Sequence, residues 1–140
     1  MDLVSLPDRP VPEGARVGRI TTRDGIGLRW AAWDALPTRQ RRGTVVIVQG
    51  RAEFIEKYFD VIDGLRARGL NVIAFDWRGQ GGSDRLTRDI GKGHVRRFSD
   101  YEIDLDTIMS KVTVEQARPP YFALGHSMGG AVLLRVAKAG

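Results

Sequence analysis

The chain has no cysteine, which excludes a disulfide-stapled secreted scaffold, a thiolate-ligated zinc site and thiol catalysis together. Histidine is nearly as scarce. His94 and His126 are the only two, too few for a histidine-rich metal site. No apolar run approaches the ~18 residues that a membrane-spanning helix needs. The first fourteen residues, broken by Pro7, Pro10 and Pro12, lack the apolar stretch of a signal peptide. These absences point to a cytoplasmic protein. Lysine is rare as well, 4 against 18 arginines, in a chain of net charge +5. The basic residues are dispersed among 17 acids, apart from a cluster at Arg39, Arg41 and Arg42. No basic stripe is interleaved with stacking aromatics, so nucleic acid is not an expected partner. The charge reads as a solvated, arginine-rich surface; the alternative is a face that attracts anionic lipid headgroups.

What is present fits one globular domain: 140 residues, 42% hydrophobic and 28% charged. Residues 1–15 read as an irregular lead-in. Val17 to Arg23 and Ile26 to Trp33 then flank Asp24-Gly25, a strong hairpin signal, and the alternation around Leu28 and Trp30 predicts an antiparallel pair with one covered face. Three apolar runs follow without alternation: Val45 to Val48, Leu70 to Phe75, and Tyr121 to Leu124. Such runs suit strands of a parallel sheet covered on both faces. Each precedes a glycine-containing turn and a helical pattern. The first helix is expected to bury Phe54, Tyr58, Val61, Ile62 and Leu65 and to stop at Gly69. The second opens with Ser99 and Glu102 in capping-box spacing and with Phe98 and Ile103 as a hydrophobic staple. It is expected to bury Tyr101, Leu105, Ile108, Met109 and Val112 and to end before Pro119-Pro120. The third, from about Met128 to Ala139, is apolar on most sides and reads as buried. An antiparallel hairpin followed by parallel β-α-β-α-β-α is an α/β class pattern, a sheet with helices on both faces in three αβα layers.

Open α/β sheets bind ligands beyond the carboxyl ends of their strands. Three loops start there: at Gln49-Gly50-Arg51, at Asp76-Trp77-Arg78-Gly79, and at Gly125-His126-Ser127-Met128-Gly129. The last is a G-x-S-x-G string, only moderately specific by itself. Its context sharpens it, because the serine follows a buried-strand pattern and opens a helix, as a nucleophile elbow requires. A side chain at Gly125 or Gly129 is expected to collide with the neighbouring strand or helix. An acyl-transfer serine at such an elbow also needs two oxyanion donors: the N–H of the next residue, Met128, and one from the loop after the earlier strand, Arg51. The turn after Val48 lacks G-x-G-x-x-G, and nothing matches a P-loop, so nucleotide binding on a Rossmann-like sheet ranks low.

Val46 to Glu53, Tyr58, Phe75 to Ser83, Gly93-His94-Val95, Phe98 to Tyr101 and Gly125 to Gly130, in this order, resemble the α/β-hydrolase family of bacterial lysophospholipases and monoacylglycerol lipases. The resemblance runs over about residues 16–140 and implies the N-terminal part of a single α/β-hydrolase domain. It implies Ser127 as nucleophile, the Arg51 and Met128 amides as oxyanion hole, a lipid or other acyl ester as substrate, and no metal or organic cofactor. Together with the charge, it implies peripheral contact with an anionic membrane such as the inner membrane. Many members carry His-Gly where this chain has Gln49-Gly50. Asp76 and Arg78 read as residues that tie down backbone. A serine nucleophile needs a histidine base and an orienting acid, which in this fold follow the serine in sequence. The 13 residues after Ser127 contain neither. His126 adjoins the serine and reads as a packing or loop-anchoring residue, and His94 as structural. The expectation is therefore an esterase whose acid and histidine lie beyond this segment, inactive in isolation and exposing the Tyr121–Leu124 strand edge and the third helix. The alternative is a truncated, non-catalytic hydrolase-like module.

Overall fold

The computed structural model, which describes residues 2–37, 40–85 and 97–139, contains a five-stranded mixed sheet. Arg39 and the Gly93-His94-Val95 segment lie outside the described residues. In chain order the strands are β1 (Arg16–Thr21), β2 (Gly27–Trp33), β3 (Gly43–Val48), β4 (Leu70–Phe75) and β5 (Tyr121–Gly125). Across the sheet they run β1-β2-β4-β3-β5. β2 is antiparallel to both β1 and β4, while β3 is parallel to both β4 and β5.

Alternate residues of each strand face opposite sides of a sheet, and here both sides are covered. On one side Val46, Val48, Ile73 and Phe75 pack with Tyr101, Leu105, Ile108 and Val112. On the other, Ile47, Val72 and Ala74 pack with Ile55, Phe59 and Ile62. The first helix, α1 (Phe59–Ala67), thus lies on one face and α2 (Asp100–Thr107) on the other. α2 continues through a π-helical segment (Ile108–Thr113) into α3 (Val114–Gln116). The fold class is the expected one, three αβα layers with a leading hairpin.

Three local expectations are corrected. β2 is buried along both faces, Leu28 and Ala32 in the core on one side of the sheet and Ala31 and Trp33 in the core on the other, and β4 hydrogen-bonds to its second edge. The buried face of the first helix is Ile55, Phe59 and Ile62, while Phe54 and Val61 are exposed, because a 3-10 turn (Ile55–Tyr58) precedes α1 and shifts its register. Gly69, at φ +85°, does end that helix in the left-handed conformation. No side-chain bond caps α2; Ser99 is itself helical, and Phe98 packs edge-on against Tyr101 beneath Arg135. β5 and the last helix, α4 (Met128–Ala139), are largely uncovered, as expected of this segment taken alone. Phe122 is 50% and Leu134 74% exposed, because β3 is the only strand paired with β5 among the described residues.

The lead-in is irregular but docked. Val4 N–H donates to Glu56, and Trp33 Nε1 donates to the Pro12 carbonyl at 3.0 Å.

The topology places the site. β3 passes through α1 to β4 on its one side, and β5 arrives through α2 on its other. The loops that follow β3 and β5 are therefore neighbours at the carboxyl end of the sheet, where the strand order reverses.

Candidate active site

The turn between β5 and α4 holds Ser127 at φ +54°, a left-handed conformation that a non-glycine residue adopts only under constraint. The constraint comes from both flanking glycines. A Cβ at Gly129 would run into the Val48 carbonyl, and one at Gly125 would sit 2.7 Å from Leu133 and 2.9 Å from Gly130. The expected collisions are present at both positions. The turn is tied to β3, since His126 N–H donates to the Val48 carbonyl at 3.1 Å, and Gly129 N–H closes back on the His126 carbonyl at 3.0 Å. Ser127 is exposed at this apex and immediately precedes the twelve-residue α4, whose first amides and dipole favour negative charge.

The facing wall is the loop after β3. Gly50 approaches the turn so closely that a Cβ there would lie 3.3 Å from the His126 carbonyl and 2.7 Å from Glu53. Ala52 follows at φ +62°. The buried Glu53 carboxylate gathers the loop. Its Oε1 accepts from Gly50 N–H at 2.6 Å, from the Tyr58 hydroxyl at 2.7 Å and from His126 Nδ1 at 3.2 Å. Burial opposes ionisation of Glu53, but the Tyr58, Gly50 and His126 donors outweigh it and hold its carboxyl at about 2. His126 is thus a loop anchor, as expected, with an exposed rather than packed ring. Among the described residues the Arg51 and Met128 N–H groups donate no hydrogen bond, and no bond joins Ser127 Oγ to a base.

Behind this loop, the stretch after β4 is a scaffold of buried charge. Asp76 is fully buried and accepts from the Ile55 and Gly82 amides at 2.9 and 2.8 Å and from Arg29 Nε at 2.6 Å. Gln49 spends its amide on the Phe75 carbonyl and on Asp76, so it faces away from the turn and leaves the Gly50-Arg51 segment free. Asp76 ties down backbone as expected. Arg78 instead pairs side chains, Asp24 of the hairpin turn and Asp104 of α2, while the Arg78 amide donates to Asp104. Burial raises Asp104 to about 6 against the pull of Arg78. Gln80, also buried, donates to the Gly50 and Glu53 carbonyls at 3.2 and 3.1 Å.

The structure therefore brings Ser127, Met128 and the Arg51 loop together at one end of the sheet. It adds Glu53 and Gln80, which sequence reasoning did not assign. The available signal was a polar residue in each of two glycine-containing loops, Glu53 after β3 and Gln80 after β4, with nothing in their spacing to show burial. Among the described residues no group of three His, Asp or Glu is placed to hold a metal ion. A groove of about 770 Å³ between α2 and α4 is lined by residues that include Ile103, Met109, Ala123 and Leu133 and do not include Ser127.

The family model described as serine aminopeptidase, S33, matches residues 39–139, and the chain belongs to that family of α/β hydrolases. The chain is 41% identical over 109 residues to lysophospholipase L2 of Escherichia coli (strain K12), an alignment covering 78% of this chain and 31% of that protein. It is 34% identical over 110 residues to a monoacylglycerol lipase of Mycolicibacterium smegmatis, covering 78% and 36%. The chain thus spans about a third of the length of these relatives, which are lipid-ester hydrolases by name. A thermostable carboxyl esterase of Bacillus coagulans, solved with glycerol, superposes with a TM-score of 0.70 at 23% identity, over 86% of this chain and 39% of that one, a likeness of fold. Among the described residues no helix is long and apolar enough to cross a membrane.

Proposed function

We propose that this chain carries the nucleophile and oxyanion hole of an esterase acting on lysophospholipids or monoacylglycerols. The observation that carries the reading is the exposed Ser127, held at φ +54° at a strand-to-helix turn. The names of the relatives supply the substrate class.

In this reading Ser127 Oγ attacks the ester carbonyl carbon as its proton passes to a histidine base. Negative charge moves onto the carbonyl oxygen, which accepts from the Arg51 and Met128 amides. Two such donors supply several kcal/mol of transition-state stabilisation, about 3 kcal/mol for each one lost. The C–O bond to the glycerol moiety then breaks, the leaving alkoxide takes the proton, and an acyl-serine remains. Water attacks it and releases the fatty acid. His126 is not assigned as the base here: no hydrogen bond joins its ring to Ser127 Oγ, and the ring instead meets Glu53 as an anchor of the loop after β3. Residues 128–140 supply no other histidine and no acid, so the reading assigns both to chain outside this segment.

Hydrolysis of monoacylglycerol and lysophosphatidylcholine by the whole protein tests it. A Ser127→Ala variant is expected to lose at least about 10³-fold in kcat, the scale of removing an activated nucleophile. An active Ser127→Ala protein rejects the assignment.

A further inference from the structure

We propose that Gln80 is a positioning residue for ester hydrolysis, aiming the Arg51 N–H by holding the carbonyl on the other side of the same peptide. The inference rests on the esterase reading above and names a residue that acts through that peptide without touching substrate.

The Gly50-Arg51 peptide carries the Gly50 C=O on one edge and the Arg51 N–H on the opposite edge, because a trans peptide is planar with the two antiparallel. Gln80 Nε2 donates to the Gly50 carbonyl at 3.2 Å. Fixing that carbonyl fixes the direction of the Arg51 N–H, which points away from Gln80. The same Nε2 donates to the Glu53 carbonyl at 3.1 Å, so one amide grips both ends of the short loop. Rotating the Gln80 amide by half a turn would set its oxygen against two carbonyl oxygens, so the donor orientation is the one the surroundings enforce.

Two further features separate this from ordinary loop packing. Gln80 is 5% exposed, and its own Oε1 is buried with no hydrogen-bond partner. An amide that leaves half of its polarity unsatisfied is a poor device for stability alone. Its N–H group instead serves a loop strained at Ala52, φ +62°, which has no regular ladder of its own to hold the peptide plane. Glu53 restrains the preceding Gly50 N–H from the far side. Gln80 is therefore the contact that acts directly on the peptide bearing the oxyanion donor.

The test is the rate of Ser127 labelling by an alkyl fluorophosphonate, together with kcat and KM for a monoacylglycerol, in the whole protein and in Gln80→Met. The substitution keeps the length of the side chain and removes the donor. The expected result is a 10- to 100-fold fall in labelling rate and in kcat, with KM within threefold, since the aimed amide acts on charge that develops only in the transition state. Gln80→Glu is expected to lose at least as much at pH 8, where its carboxylate faces two carbonyls, and to recover part of the loss as the pH falls and the acid becomes a donor. Should Gln80→Met fail to fold, Gln80→Asn, which withdraws the amide by one methylene, carries the same thresholds. Labelling and kcat within twofold of the unsubstituted protein overturn the role of Gln80. Absence of Ser127 labelling in the unsubstituted protein rejects the nucleophile itself, and this role with it.

Discussion

Glu53 shows how one buried side chain sets the geometry of the loop after β3. Its Oε1 collects the Gly50 amide, the Tyr58 hydroxyl and His126, and Lys57 stands 3.5 Å from its other oxygen. Burial favours the neutral acid, the three donors favour the carboxylate, and the carboxylate wins, with the carboxyl held at about 2 against an ordinary 4.5. A folded value below the unfolded one contributes stability that is fully present above pH 4.5 and is lost as the pH falls toward 2. Glu53→Gln is therefore expected to lower stability at pH 7 by about 2 kcal/mol, the scale of hydrogen bonds to a buried charge. It should also flatten the acid limb of the stability curve between pH 4.5 and 2. Urea unfolding across that range checks it, and a variant curve parallel to that of the unsubstituted protein contradicts it. At this scale the sequence was half legible. Ser127, Gly125 and Gly129 declare themselves because a tight turn imposes fixed residue types. Glu53 and Gln80 do not, because their burial depends on how two loops from distant strands pack.

Among the elements, buried charge clamps the hairpin turn to α2. Arg78, 2% exposed, holds Asp24 at 2.8 Å and Asp104 at 2.9 Å, with Asp100 at 3.8 Å. Removing the cation strands two buried carboxylates and Asp24. Arg78→Met is expected to cost about 3 kcal/mol or more at pH 7. The loss should be smaller at pH 4, where Asp104, already raised by burial to about 6, is protonated and needs no partner. Denaturant melts at the two pH values read this out. A loss below about 1 kcal/mol at pH 7, or one independent of pH, contradicts the clamp. The parallel strands were legible because uninterrupted β-branched runs have few other homes. The interior position of β2 was not, since its second partner lies beyond α1. The register of α1 was hidden by a 3-10 turn that periodicity does not distinguish from a first helical turn.

For the whole molecule, the sheet opens at β5. Phe122, Leu124, Leu134 and Val136 are exposed there, as expected for a chain that matches a third of its relatives' length. The net charge of +5 and a lipid-ester substrate class lead to the proposal of peripheral contact with anionic bilayers. Binding to phosphatidylglycerol vesicles is expected to weaken severalfold as ionic strength rises from about 0.05 to 0.5 M, where the screening length falls from ~14 to ~4 Å. Equal binding to neutral phosphatidylcholine vesicles contradicts the electrostatic part. The claim on which the rest depends is that Ser127 is the nucleophile. Peptide mapping by mass spectrometry after treating the whole protein with a fluorophosphonate tests it most directly. The account predicts a single adduct on the peptide containing Ser127, absent from Ser127→Ala; an adduct on another residue, or full hydrolytic activity with Ser127 modified, would contradict it.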